Sequence, residues 1–203
     1  MPRRQTWGSQ SNRCVTAVTG LTARHDRMLS TNIMLGIACT PICVRFMHLQ
    51  SKLATLADLA ERSSTTIGAV SMTRADVDTA VRCASPSNAE TSAVLCDFLR
   101  HVTGKGGSAG CTLVLHAGCV PIVLASLRHW PAHAMAVKHA CQVLFNLVTW
   151  GSPACKEAML RVADCKVLLR SAHASGLAGS LAADVMVSLG FNHPDASSGC
   201  AVM

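Results

Sequence analysis

From about residue 52 onward the apolar positions fall at helical spacing. Leu53, Leu56, Ala57 and Ala60 recur at i, i+3, i+4 and i+7, which places them on one side of a helix. The run Ser63 to Gly68 breaks that pattern. A second helix is expected from about Thr73 to Ala84, with acids in its first turn, ended by Ser85-Pro86-Ser87-Asn88. A long helix is expected from Ala89 to Thr103, closed by Gly104, Gly106 and Gly107, since glycine after an apolar-periodic run is a stop signal. Small and flexible apolar residues dominate where β-rich folds favour aromatic and β-branched ones, and the chain reads as all-α.

The pattern then repeats. Pro86 and Pro131 lie 45 residues apart, as do Ala89 and Ala134. The stripe Leu95, Phe98, Leu99, Val102 returns as Ala140, Val143, Leu144, Leu147, and again as Ala182, Val185, Met186, Leu189. Ala117 and Cys119 return at an offset of 46 as Ala163 and Cys165. A helical period of this length belongs to stacked arrays, in which no unit buries its own apolar face and neighbours complete the core. Gly118 followed by Pro121 marks a sharp corner between two helices.

The segment Ala117-Gly118-Cys119-Val120-Pro121-Ile122-Val123 resembles the armadillo phrase "aGgvpxLv", and Ala140 to Val148 resembles "AcxALxNLa". Leu127-Arg128-His129-Trp130-Pro131 is similar to a turn of the armadillo arrays of leucine-rich-repeat kinases. The likeness spans roughly residues 74–191, and HEAT repeats are the neighbouring family of the same architecture. It implies a right-handed α-solenoid of two to three repeats whose third helices line a concave groove. In peptide-binding members an Asn of that helix hydrogen-bonds the ligand backbone. Asn146 stands at that place, with His101 and Ser188 as its counterparts. One turn earlier stand Gln142, Asp97 and Asp184, where importin-like arrays carry tryptophan. These six residues form the expected partner-binding face. Asn146 has a second reading, as a brace for the neighbouring loop. Trp150 is read as a capping hydrophobe just past its helix.

Composition sharpens this picture. Half the chain is apolar but only 3% is aromatic, which suits close helix packing. Residues 1–57 hold seven bases against the single acid Asp26, and the remainder is near neutral. That divides the chain into a basic, disordered segment over 1–51, a repeat domain over 52–191 and a flexible tail over 192–203. The first fifty residues also resemble an organelle transit segment. The longest apolar run, Ile33 to Val44, is broken by Thr40 and Pro41 and is too short to span a membrane. The eleven cysteines are scattered singly, without a C-x-x-C, and read as small hydrophobes of a reducing, cytoplasmic protein. His129, His133 and His139 read as solvated or capping, because the six-residue gap between the last two does not suit a metal pair. Gly104-Lys105-Gly106-Gly107 follows a helix, whereas a phosphate cradle follows a strand. No cofactor, metal or catalytic set is expected.

The expected function is therefore a scaffold for a protein or peptide, with self-association as a further possibility. Nucleic-acid binding through the basic N-terminal arm is the alternative; steep weakening with salt would distinguish it. The last four residues, Cys200-Ala201-Val202-Met203, form a C-a-a-X box, and the Met favours a farnesyl group. A chance match stands beside that reading, and membrane association would follow only from the lipid. Protein made in a eukaryotic host should lose its last three residues and gain a prenyl mass at Cys200, and Cys200→Ser should do neither. An unmodified wild-type mass leaves Cys200 an ordinary thiol.

Overall fold

The computed structural model describes residues 41–84 and 88–191. They are all-α, with no strand among the described residues. In chain order the helices are α1 (Pro41–Ser63), α2 (Thr66–Ser71), α3 (Arg74–Cys83), α4 (Ala89–Lys105) and α5 (Gly107–His116). They continue with α6 (Cys119–His129), α7 (Ala134–Trp150), α8 (Pro153–Leu160), α9 (Cys165–Ala174) and α10 (Leu181–Ser188). The transit-like stretch up to residue 40, the tail over 192–203 and Cys200 lie outside the described residues.

Local signals account for most boundaries. Thr73 caps α3 through a capping box: its Oγ1 accepts the Asp76 amide at 3.3 Å, and the Asp76 carboxylate accepts the Thr73 amide at 2.9 Å. The Asn88 side chain caps α4 by accepting the Thr91 amide at 3.0 Å. Gly118, with φ of 68°, turns the chain between α5 and α6, which meet at 82°. Pro153 opens α8 in its first turn.

Three boundaries differ from the sequence pattern. α1 starts at Pro41, so residues 41–51 belong to a helix instead of the disordered N-terminal segment assigned to 1–51. Proline carries no amide to satisfy at a helix start, and the stretch before Leu53 has too mixed a pattern to show helical period. α4 runs through Gly104 to Lys105. That glycine is a place of close approach: a β-carbon on it would stand 3.1 Å from Asn146 Nδ2 on α7. The Ser63–Gly68 break narrows to residues 64 and 65, because α2 resumes at Thr66.

α4 and α7 are both 17 residues long and lie 45 residues apart in sequence. They make the most extensive helix pair, and α1, α4, α7 and α10 form a row in which each packs against the next. α5 and α6 pack beside α7, and α6 lies on α9. One continuous core runs through these contacts, with Phe98, Leu99, Val123, Leu144, Leu147, Leu169 and Met186 fully enclosed. Cys96, Cys111, Cys119 and Cys141 are buried in the same core. Burial pushes the thiols of Cys96, Cys119 and Cys141 up to about 12, so they stay protonated and inert at neutral pH.

Leu144 sits fully enclosed on α7, so Leu144→Ala should cost about 2–5 kcal/mol of unfolding free energy. Gln142→Ala, two residues earlier and half-buried, removes a hydrogen bond to Asn146 and should cost no more than about 1 kcal/mol. Equal losses in denaturant titrations would contradict this helix phase.

Candidate functional site

The facing sides of α4 and α7 carry a polar seam through an otherwise apolar contact. Asn146 lies at its centre and is only 5% exposed. Its Nδ2 donates to Arg100 O at 3.2 Å and to Thr103 Oγ1 at 3.0 Å, while its Oδ1 accepts from Gln142 Nε2 at 3.2 Å. The Thr103 hydroxyl in turn donates to Leu99 O at 2.9 Å. Asn146 thus spends both amide hydrogens on the neighbouring helix. The structure buries it against α4, where the partner-binding reading expects an exposed side chain and the brace reading expects a loop contact. An amide at this depth without partners would be costly, so those bonds decide where the side chain goes.

A second cluster lies along the same seam. Arg100 donates to Asp97 Oδ1 through Nε at 2.7 Å and Nη2 at 2.6 Å. His139 Nδ1 approaches the same oxygen at 3.5 Å and Ala93 O at 3.4 Å. His101 Nε2 lies 3.9 Å from it, buried and without a hydrogen-bond partner. Four nitrogens therefore crowd one carboxylate oxygen. Burial lowers the His101 pKa to about 4, helped by the Arg100 charge and partly opposed by Asp97. Burial also lowers that of His139, against the pull of Asp97. Both imidazoles are neutral at pH 7.

Of the six residues expected to meet a partner, the structure leaves Asp184 and Ser188 exposed on α10 and Asp97 and Gln142 half-buried. His101, 8% exposed, lies behind Asp97, and Asn146 lies behind Gln142. His101 is therefore removed from the partner-binding face as well. In both helices the residue four places after the half-buried one turns into the α4–α7 contact. His139 is a buried member of the seam instead of a solvated or capping histidine. His133 does cap α7, its Nδ1 accepting the Ala136 amide at 3.2 Å. Trp150 is the last residue of α7 and is 57% exposed, so it is not a buried cap. Arg100 and Phe145, half-buried on the same edges, carry no motif in the sequence; only their spacing of three from Asp97 and Gln142 would have pointed to them.

Elsewhere, α3 stands off α6 across a mostly apolar cleft of about 360 Å³, floored by Leu95 and walled by Val81, Pro121 and Ile122. Among the described residues no group of three or more His, Cys, Asp or Glu side chains is placed to hold a metal ion. No single described helix is long and apolar enough to cross a membrane.

The depressed histidines have a defined consequence for stability. Their folded pKa lies below the unfolded value near 6.5, so their contribution is present above about pH 6.5 and is lost as pH falls towards about 4. Asp76 and Asp164, lowered by Thr73 and Arg128 respectively, lose theirs only below the ordinary carboxylate range. The melting temperature of the wild type should fall between about pH 6.5 and 4.5. His101→Asn should flatten that interval, and an unchanged slope would count against this account. No family model, curated protein or solved structure matches this chain.

Proposed function

We propose that this chain is an armadillo-type α-solenoid that acts in the cytoplasm as a protein-interaction scaffold, working by holding a partner and not by catalysis. In this reading α2–α4, α5–α7 and α8–α10 are three units, and α1 supplies the third helix of a preceding one. Support comes from the 45-residue spacing of two 17-residue helices and from the row α1, α4, α7, α10. The phrases around Gly118 and Asn146 agree with it.

The observation that carries the reading is the placement of Asp97, Gln142 and Asp184. They stand at corresponding positions on three consecutive helices of the row, each reaching solvent. Beside them stand Arg100, Phe145 and Val187, the last 55% exposed. A ladder of side chains with helix-to-helix spacing suits an extended peptide, which offers a donor and an acceptor at every residue. Mixed polar and apolar contacts of this kind give modest affinity per rung. Several rungs engaged together add up.

A photo-crosslinking amino acid at Gln142 or Asp184 should capture partners in cells of the native source. The same group at Thr112 on α5 or Val167 on α9, both exposed but off the row, should capture few. Equal capture from all four positions would overturn the proposal.

A further inference from the structure

We propose that the seam between α4 and α7 receives a carboxylate of an acidic peptide segment, with Arg100 as its main contact and the two buried histidines ready to hold Asp97 in Arg100's place. This rests on the scaffold reading and names the chemistry of the partner.

The argument begins with an imbalance of donors. Arg100 directs Nε and Nη2 to the same oxygen of Asp97, where a guanidinium fork is built to meet two oxygens. His139 shares that oxygen with Ala93 O, and His101 Nε2 reaches no acceptor although it is more than nine-tenths buried. One carboxylate is thus shared by three side chains able to donate. A second carboxylate arriving on the half-buried, solvent-facing Arg100 satisfies the guanidinium with two oxygens. Asp97 then turns towards His139 and His101, from 3.5 and 3.9 Å, and supplies the acceptor that His101 lacks.

Charge agrees. Around the seam the charges of Arg100 and Lys105 on α4 act on His101, and those of Arg100 and of Lys138 on α7 act on His139, each opposed by Asp97. Apart from Glu61 on α1, the acids on α1 and α3, which pack against α4, have partners of opposite charge. Asp58 and Asp76 meet Arg62, and Asp78 meets Arg74. Asp164 meets Arg128, and Glu90 meets His133. At the α4–α7 seam Arg100, Lys105 and Lys138 stand around Asp97, which suits an added carboxylate at that rung, while Asp184 on α10 is an exposed acid on the next. Phe145 on α7 and Val187 on α10 offer apolar contact on the next rungs. A peptide that alternates acidic and aliphatic residues fits that spacing.

Proton linkage follows from the exchange. Once Asp97 turns to the histidines, their protonated forms are favoured, and each takes its proton from solvent. Binding should then tighten as pH falls from about 7.5 to about 5.5.

The test uses the full chain and two fluorescein-labelled dodecapeptides, one alternating Glu and Leu, the other Gln and Leu, read by fluorescence anisotropy. The Glu peptide should bind at least about tenfold more tightly than the Gln peptide, a difference of about 1.4 kcal/mol. Its affinity should rise several-fold at the lower pH. Arg100→Gln should remove the preference, and Arg100→Lys should restore part of it. A His101→Asn, His139→Gln double variant should lose the pH dependence of Glu-peptide binding. If circular dichroism shows Arg100→Gln to be unfolded, Lys105→Gln, exposed at the end of α4, should still weaken the Glu peptide selectively.

Equal affinity for the two peptides, both weakened by Gln142→Arg, would overturn the acidic partner and leave the peptide surface standing. Peptide binding indifferent to Arg100→Gln and Gln142→Arg alike would overturn the surface as well. A Glu peptide that binds no better than about 1 mM would overturn the proposal, as would a single-stranded oligonucleotide that outcompetes it through the same Arg100.

Discussion

Asn146 has to find partners for a buried amide, and its two N–H groups find them on α4, at the Arg100 carbonyl and the Thr103 hydroxyl. That requirement sets the register of α7 on α4. A slip of one residue would rotate Asn146 by about 100° around its helix and strand a polar group in an apolar contact. Gly104 gives way to the amide nitrogen because it has no side chain there. Cys111 on α5 donates to the Asn146 carbonyl at 3.6 Å, so the same residue also holds α5. Leu99, Val102, Val143, Leu144 and Leu147 supply the burial around this point, and Asn146 decides their alignment.

The second polar cluster shares the seam and differs in kind. Asn146 is fully satisfied, whereas Asp97 is contested by Arg100, His139 and His101. A satisfied network rigidifies a contact, whereas the buried Nε2 of His101 is left without a hydrogen-bond partner. Both lie on the same two helices. A change at the solvent edge of the seam, at Arg100, therefore acts next to a register that cannot slide. Any response to a bound carboxylate is confined to side chains and protons.

The helices beyond α7 show how the stack manages its outer surface. Val120 and Leu124 on α6 are enclosed, but the residues 46 places on are Lys166 and Arg170 on α9, which reach solvent. The Lys166 ammonium lies 5.4 Å from the Phe191 ring centroid and shields it. Arg128 clasps Asp164 with two nitrogens at 2.6–2.9 Å and ties α6 to the start of α9. Between α3 and α6 no such clasp is seen among the described residues, and there the mostly apolar cleft opens.

The helical class, the stripes of α4, α7 and α10 and most helix ends were legible from local chemistry. Apolar spacing of 3.6, a capping threonine with its aspartate, and a glycine before a proline act within a few residues of chain. The 45-residue offset also stood in the sequence, because equivalent helices bury equivalent faces. Residues that sit one position off a stripe were not decidable in the same way. Asn146 and Gln142 lie a single turn apart on the same helix, yet one is enclosed and the other meets water. Only the approach of α4 separates them. His139, six residues from a capping histidine, goes into the seam because Asp97 and Ala93 O, more than forty residues earlier, are placed to receive it. Period and propensity are set along one helix, while burial of a polar group depends on which helix arrives beside it, and that is a property of the packed chain.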